Sequence, residues 1–260
     1  MNKFYLILFI LLMPSLGKAQ FDDDVSKITL YDNAIDMKIY TQMVAKDKLY
    51  LIYNLKKEQA GKELDYAMAM ISENLSNIDL NEDQPQIVEK LKKLKDVWFK
   101  LNNRLTQNLT PKEFTNLFFE VNTFDHLISD LVVKMREVYN LPFEKMEKYE
   151  AIQKLREAIQ KINLSYYANY LGLSKSFQHE YQKNIKDVNI LIKQKSNIFL
   201  NDPIADKSFA DVIIDWNFLR ANLLSSSAKN PKTVFSLVTS IDFKLKTIKN
   251  AYIENLNKDF

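Results

Sequence analysis

Ser76-Asn77-Ile78-Asp79-Leu80-Asn81 returns as Ser196-Asn197-Ile198-Phe199-Leu200-Asn201, 120 residues further on and with one substitution. The match extends outward in both directions. Trp98 and Leu101 return as Trp216 and Leu219, Pro85 returns as Pro203, and Pro111-Lys112 returns as Pro231-Lys232. Pro142 has no counterpart and falls where one copy would hand over to the next. Offsets of 118 and 120 alternate only across expected loops, so the chain reads as two copies of one unit of about 118 residues.

The landmarks also punctuate helices. Proline suits the first position of a helix, where its missing N–H has no intrahelical partner to lose. Asp202 and Asn230 precede prolines as N-caps, and Thr110-Pro111-Lys112-Glu113 has the form of a capping box. Asn54 and Gly172, 118 apart, are the residue types that adopt the left-handed C′ position, and each is followed by a leucine. Between these marks apolar residues step by three and four: Ile152, Leu155, Ile159, Ile162, Tyr166 and Tyr170, then Val234, Val238, Ile241, Leu245, Ile248 and Tyr252. With only 3 glycines and 6 prolines in 260 residues, too few turns are available for a meander of strands. The expectation is an all-α protein of two tandem up-down four-helix bundles, with helices at approximately 25–53, 57–79, 85–106 and 111–139, then 143–171, 175–200, 204–223 and 231–257. The units are 20–140 and 141–260, and the short Leu141-Pro142 joint makes them stack or lie end to end rather than swing freely.

Before the first unit, Lys3 precedes an apolar run from Phe4 to Met13, followed by Gly17-Lys18-Ala19. A run of about ten residues is too short to span a bilayer, and the small residues suit cleavage near Ala19, so 1–19 reads as a signal peptide and the mature protein as periplasmic or secreted. Cleavage takes Lys3 and Lys18 from 36 basic residues, leaving 34 against 33 acidic ones. A nearly neutral chain gives no reason to expect nucleic acid as a partner. The chain has no cysteine, so burial alone must stabilise it.

No glycine-rich phosphate loop, nucleophile elbow or His-Glu-x-x-His segment occurs. His126 and His179 lie in different copies without counterparts, and Asp22-Asp23-Asp24 lacks the alternation and glycine of a calcium loop. The expectation is a protein that is not an enzyme and has neither metal nor cofactor. One duplicated polar feature stands out: Lys38 with Gln42, and Arg156 with Gln160, four apart on the first helix of each copy. Each pair sets a cation beside an amide donor on one helical face, either as an exposed pair on a lysine-rich helix or as a grip for a small anion.

The first helix of each copy, Met37-Lys38-Ile39-Tyr40-Thr41-Gln42-Met43-Val44-Ala45-Lys46 through Asn54-Leu55 and Leu155-Arg156-Glu157-Ala158-Ile159-Gln160-Lys161 through Leu171-Gly172-Leu173, resembles the PilJ-like sensory domain. That domain forms the N-terminal region of type IV pilus methyl-accepting chemotaxis transducers and is related to periplasmic nitrate/nitrite sensor domains. Its pattern runs roughly Arg-Met-Leu-Ser-Gln-Arg-Met-Ala-Lys, then Leu-Gly-Leu, with a late tryptophan that Trp98 and Trp216 resemble. By position Arg156 matches the arginine that grips the anion in nitrate-sensing members, and Lys38 replaces it in the first copy. The second arginine of the pattern is Met43 in one copy and Lys161 in the other.

The resemblance implies a non-catalytic extracytoplasmic sensory or ligand-binding protein. Lys38, Gln42, Arg156 and Gln160 would line a shared site for a small anion such as nitrate or nitrite. No transmembrane, HAMP, kinase or methyl-accepting segment follows Tyr252, so the output would belong to a membrane-bound signalling partner, and a homodimer is the other assembly it allows. The alternative is a structural or adaptor helical protein that binds an envelope partner and no small molecule.

Overall fold

The computed structural model describes the backbone of residues 3–141, 143–173, 175–224 and 230–256, and the side chains of 27–141, 146–173, 177–224 and 230–256. The expected leader and the Asp22-Asp23-Asp24 run therefore lie outside the described side chains. Among the described residues there are eight helices: α1 (Lys3–Ile52), α2 (Lys57–Asn81), α3 (Pro85–Leu105), α4 (Pro111–Tyr139), α5 (Phe143–Tyr170), α6 (Lys175–Leu200), α7 (Asp206–Leu224) and α8 (Pro231–Leu256). They form two helix-bundle halves, α1–α4 and α5–α8.

The punctuation works as its chemistry requires. Thr110 accepts from the Glu113 N–H and the Glu113 carboxylate accepts from the Thr110 N–H, closing the capping box. Asn230 Oδ1 accepts from the Thr233 N–H at 3.2 Å. Asn54 and Gly172 have φ of 54° and 73°. The following leucines donate back across the turn, Leu55 to Tyr50 O at 2.8 Å and Leu173 to Ala168 O at 3.0 Å, so both first helices end in a Schellman motif. Two starts depart from the sequence reading: α1 begins at Lys3 rather than near residue 25, and α7 at Asp206 rather than at 204. Asp202 Oδ1 accepts from the Ile204 N–H at 2.9 Å, and its carbonyl accepts from Ala205 and Asp206, which makes a separate turn before the helix begins at Asp206.

Within each half the first helix lies between the second and fourth, with the third packed on the fourth. Trp98 sits in the first core, stacked on Phe124 with ring centroids 5.3 Å apart, and Trp216 is buried in the second. Because α4 runs antiparallel to α1 and the joint to α5 is short, α5 returns parallel to α1. The halves lie side by side along these two helices, and one continuous apolar core runs through both.

This arrangement explains why α5, and α1 from residue 27 onward, are buried nearly all round. On α1, Tyr31, Ala34, Met37, Tyr40, Val44, Ala45 and Leu49 point to several neighbours at once. On α5 the predicted apolar stripe is buried as far as Tyr166, and the polar side, with Gln153, Arg156, Gln160 and Asn163, is buried as well.

Candidate functional site

Two parallel helices meeting in register place residue i beside residue i+118 or so, and the polar residues of the seam follow that rule. Tyr31 Oη donates to Glu150 Oε1 at 2.8 Å, and Gln153 Nε2 donates to Asp36 Oδ1 at 2.8 Å. Lys249 of α8 reaches in to Asp32 (2.7 Å) and Asp36 (3.1 Å), and the Tyr149 hydroxyl donates to Asp32. Burial, followed by the neighbouring Asp36 charge, pushes the Asp32 carboxyl up to about 6 against the opposing pull of Lys249.

The four residues singled out in the sequence sit along this seam but do not line one site. Arg156 is buried, with Nε 3.0 Å from Asp242 Oδ1 and Nη1 3.3 Å from Asp36 Oδ1 and 3.0 Å from Gln153 Oε1. Burial opposes its charge, but Asp242 and Asp36 outweigh this and hold the guanidinium above its ordinary pKa. Lys38 Nζ lies 3.0 Å from Glu157 Oε2. Both first-helix cations are thus neutralised by carboxylates of the chain itself. None of the described cavities is lined by all four residues, and the groups that the two cations contact are Asp36, Asp242 and Glu157. Gln160 is buried on α5, and neither it nor Arg156 lines either of the two seam cavities described next.

Gln42 has a different surrounding. It is 1% exposed and lines a cavity of about 270 Å³ between the halves, together with Asp125 of α4, Lys161 and Ser165 of α5, and Glu180 and Lys183 of α6. Phe118 and Leu164 give the cavity an apolar wall. Gln42 Nε2 has no hydrogen-bond partner in the protein, and neither has Oδ1 of Asp125, a residue only 7% exposed. Asp125 Oδ2 is 3.4 Å from Lys161 Nζ, and Lys161 also pairs with Glu157. Burial raises the Asp125 carboxyl, Lys161 opposes and Glu157 adds to the rise; burial also raises Glu180. Burial acts the same way on Glu157, but Lys161 and Lys38 override it and hold that carboxyl low.

A second cavity of about 220 Å³ between α1, α4 and α5 is lined by Lys38, Glu157, Arg136 and Glu150, with Ile35 and Val132 among its apolar walls. Its charges are paired across it, Lys38 with Glu157 and Arg136 with Glu150 at 2.9 Å. Of the two cavities, only the 270 Å³ one is lined by residues, Gln42 and Asp125, that each carry a buried polar atom without a partner in the protein.

Sequence reasoning found Gln42, noted Lys161 only as the replacement for a second arginine of the pattern, and missed Asp125, Glu180 and Lys183. The last four come from three helices, and although Glu180 and Lys183 share a face of α6, nothing local joins them to Asp125 or Lys161. His126 is exposed at the cavity rim and His179 is exposed on α6. Among the described residues no group of three or more His, Asp or Glu is placed to hold a metal ion, and no helix is long and apolar enough to cross a membrane. Comparison with protein-family models, with curated proteins and with solved structures gave no match.

Proposed function

We propose that this is a non-catalytic, extracytoplasmic ligand-binding protein that takes a small polar molecule into the cavity between its two halves and hands the signal to a partner. The observation that carries the reading is a pair of buried groups without partners, Gln42 Nε2 and Asp125 Oδ1, on two residues that line one cavity. Leaving such a group without a partner costs about 1–3 kcal/mol, a cost that a ligand contributing the missing partners removes. Because α1, α4, α5 and α6 all contribute to the wall, occupancy bears on how the halves pack, which suits a sensor. The neutralised Lys38 and Arg156 turn the proposal away from a bare anion held by the first helices.

The test is thermal unfolding of the purified protein against a panel of small polar metabolites and inorganic anions, nitrate and nitrite included. At a hundredfold excess over Kd a ligand stabilises the native state by about 2.7 kcal/mol, which moves the midpoint of a chain this size by about 5–10 °C. A panel in which nothing shifts the midpoint would sink the binding reading.

A second reading has its own observation. Phe99 of α3, Phe119 of α4, Phe218 of α7 and Phe243 of α8 are each 62–71% exposed, on helices outside the α1–α5 contact. Large exposed aromatics favour an adaptor that docks on a partner protein. A silent ligand panel is the outcome that would shift support to it.

A further inference from the structure

Resting on the binding reading above, we infer that the ligand of the Gln42–Asp125 cavity is a zwitterion of amino-acid size, its ammonium received by Asp125 and Glu180 and its carboxylate by Gln42, Lys161 and Lys183. The wall carries both signs in equal number, two carboxylates and two ammonium groups, so a ligand with one net charge would unbalance it.

The uncommitted groups are also of opposite kinds. Asp125 Oδ1 can only accept, so it needs an N–H or O–H from the ligand; Gln42 Nε2 can only donate, so it needs an acceptor. A bare anion satisfies Gln42, leaves Asp125 unpaired and brings a third negative charge beside two carboxylates. A bare amine satisfies Asp125 and leaves Gln42 unpaired. One molecule with an ammonium and a carboxylate satisfies both. The raised proton affinity of Asp125 and Glu180 agrees, since each is a carboxylate that burial has left short of positive charge. Phe118 and Leu164 offer the apolar surface that the carbon skeleton between the two charges requires. The volume of about 270 Å³ gives room for a molecule of amino-acid size.

The other copy shows the same chemistry met from within. The residues 118 before Leu164 and Ser165 are Lys46 and Asp47. There the Lys46 ammonium lies between two carboxylates, 2.8 Å from Glu63 Oε2 and 3.0 Å from Asp47 Oδ1, and is 4% exposed. The chain supplies its own cation on that side, so the inference carries a stoichiometry of one ligand per chain.

The experiment is calorimetric titration of the full protein with the standard L-amino acids. Each amino acid that binds is followed by the amine lacking its carboxylate and the acid lacking its ammonium, with sodium nitrate as the inorganic anion. The expected result is a 1:1 isotherm for at least one amino acid, with affinity at least tenfold weaker for its amine and its acid. Gln42→Leu and Asp125→Asn should each weaken that binding at least tenfold while the circular dichroism spectrum is unchanged. If nitrate, an amine or an acid binds as tightly as any amino acid and loses affinity in the same variants, the cavity is a ligand site and the zwitterion inference is wrong. If no compound of any class binds, the binding reading itself fails with it.

Discussion

Tyr31 Oη donates to Glu150 Oε1 across 119 residues, within a residue of the interval that separates equivalent positions in the two copies. Lys38 with Glu157 and Gln153 with Asp36 repeat the relationship further along the same two helices. A duplicated chain whose first helices meet in parallel register is a dimer built within one polypeptide, and its interface keeps Gln42 and Gln160 in common while differing elsewhere. Lys38 against Arg156 and Asp47 against Ser165 are both seam positions. Buried ion pairs of this kind contribute less to stability than to fixing which residues face each other, because each charge must first be stripped of water.

Arg156 tests that account. Its guanidinium serves Asp36, Asp242 and Gln153 together, so Arg156→Met leaves two buried carboxylates with less compensation. The expected loss is about 3 kcal/mol in urea unfolding. Arg156→Lys recovers only part of it, since an ammonium lacks the fork that reaches two acids at once. A loss in Arg156→Met below about 1 kcal/mol would show that the seam does not depend on this group.

Asp47 makes stability depend on pH. Its side chain is fully buried, and burial, opposed by Lys46 and reinforced by Glu63, pushes the carboxyl up to about 7 from an ordinary 3.8. Between these values the native state keeps a proton that the unfolded chain has released. The stabilisation is therefore complete below about pH 4 and is lost as pH rises through 7. Asp32, raised to about 6, acts in the same direction. Asp47→Asn should flatten the fall in urea midpoint between pH 4.5 and 8 and gain about 1–3 kcal/mol at pH 8. An unchanged profile in that variant would place the titration elsewhere.

The two Schellman turns rank the substitutions at Gly172 and Asn54. Gly172 has φ of 73° and a Cβ there would meet nothing within 4 Å, so Gly172→Ala pays backbone strain alone, about 1 kcal/mol. Gly172→Asn should cost less, because asparagine already holds this conformation at Asn54. Asn54→Gly should lie within about 0.5 kcal/mol of the parent. Thermal midpoints of the three variants order the effects, and equal losses for alanine and asparagine at position 172 would contradict the argument.

Most of the fold was legible because its determinants are local. Proline at the first turn of α3, α4 and α8, the Thr110 capping box, the Asn54 and Gly172 turns and apolar spacing act within a few residues. The start of α7 escaped because the Asp202 side chain bonds Ile204 and builds a turn that helical spacing does not encode. The seam was half legible. Recurrence marked Lys38, Gln42, Arg156 and Gln160 as special, but not the acids that bind the cations, since Asp242 lies 86 residues from Arg156. A signal for burial was present in α1, whose apolar residues cover every face between Ala34 and Tyr50 and leave no wet side for Lys38 or Gln42.

Gln42 sets stability against function. Its amide nitrogen is buried without a partner in the protein, so the ligand-free native state bears the cost of stripping water from that donor. Gln42→Leu removes the donor and keeps most of the volume, which should leave the ligand-free protein unchanged or raise its stability by up to about 1 kcal/mol. The same substitution takes away the group proposed to receive the ligand carboxylate, so added ligand should no longer raise the midpoint. The order of stability then inverts: Gln42→Leu is at least as stable as the parent without ligand and less stable in its excess. A variant that loses stability in both conditions alike would mean that Gln42 is held by packing and serves no ligand.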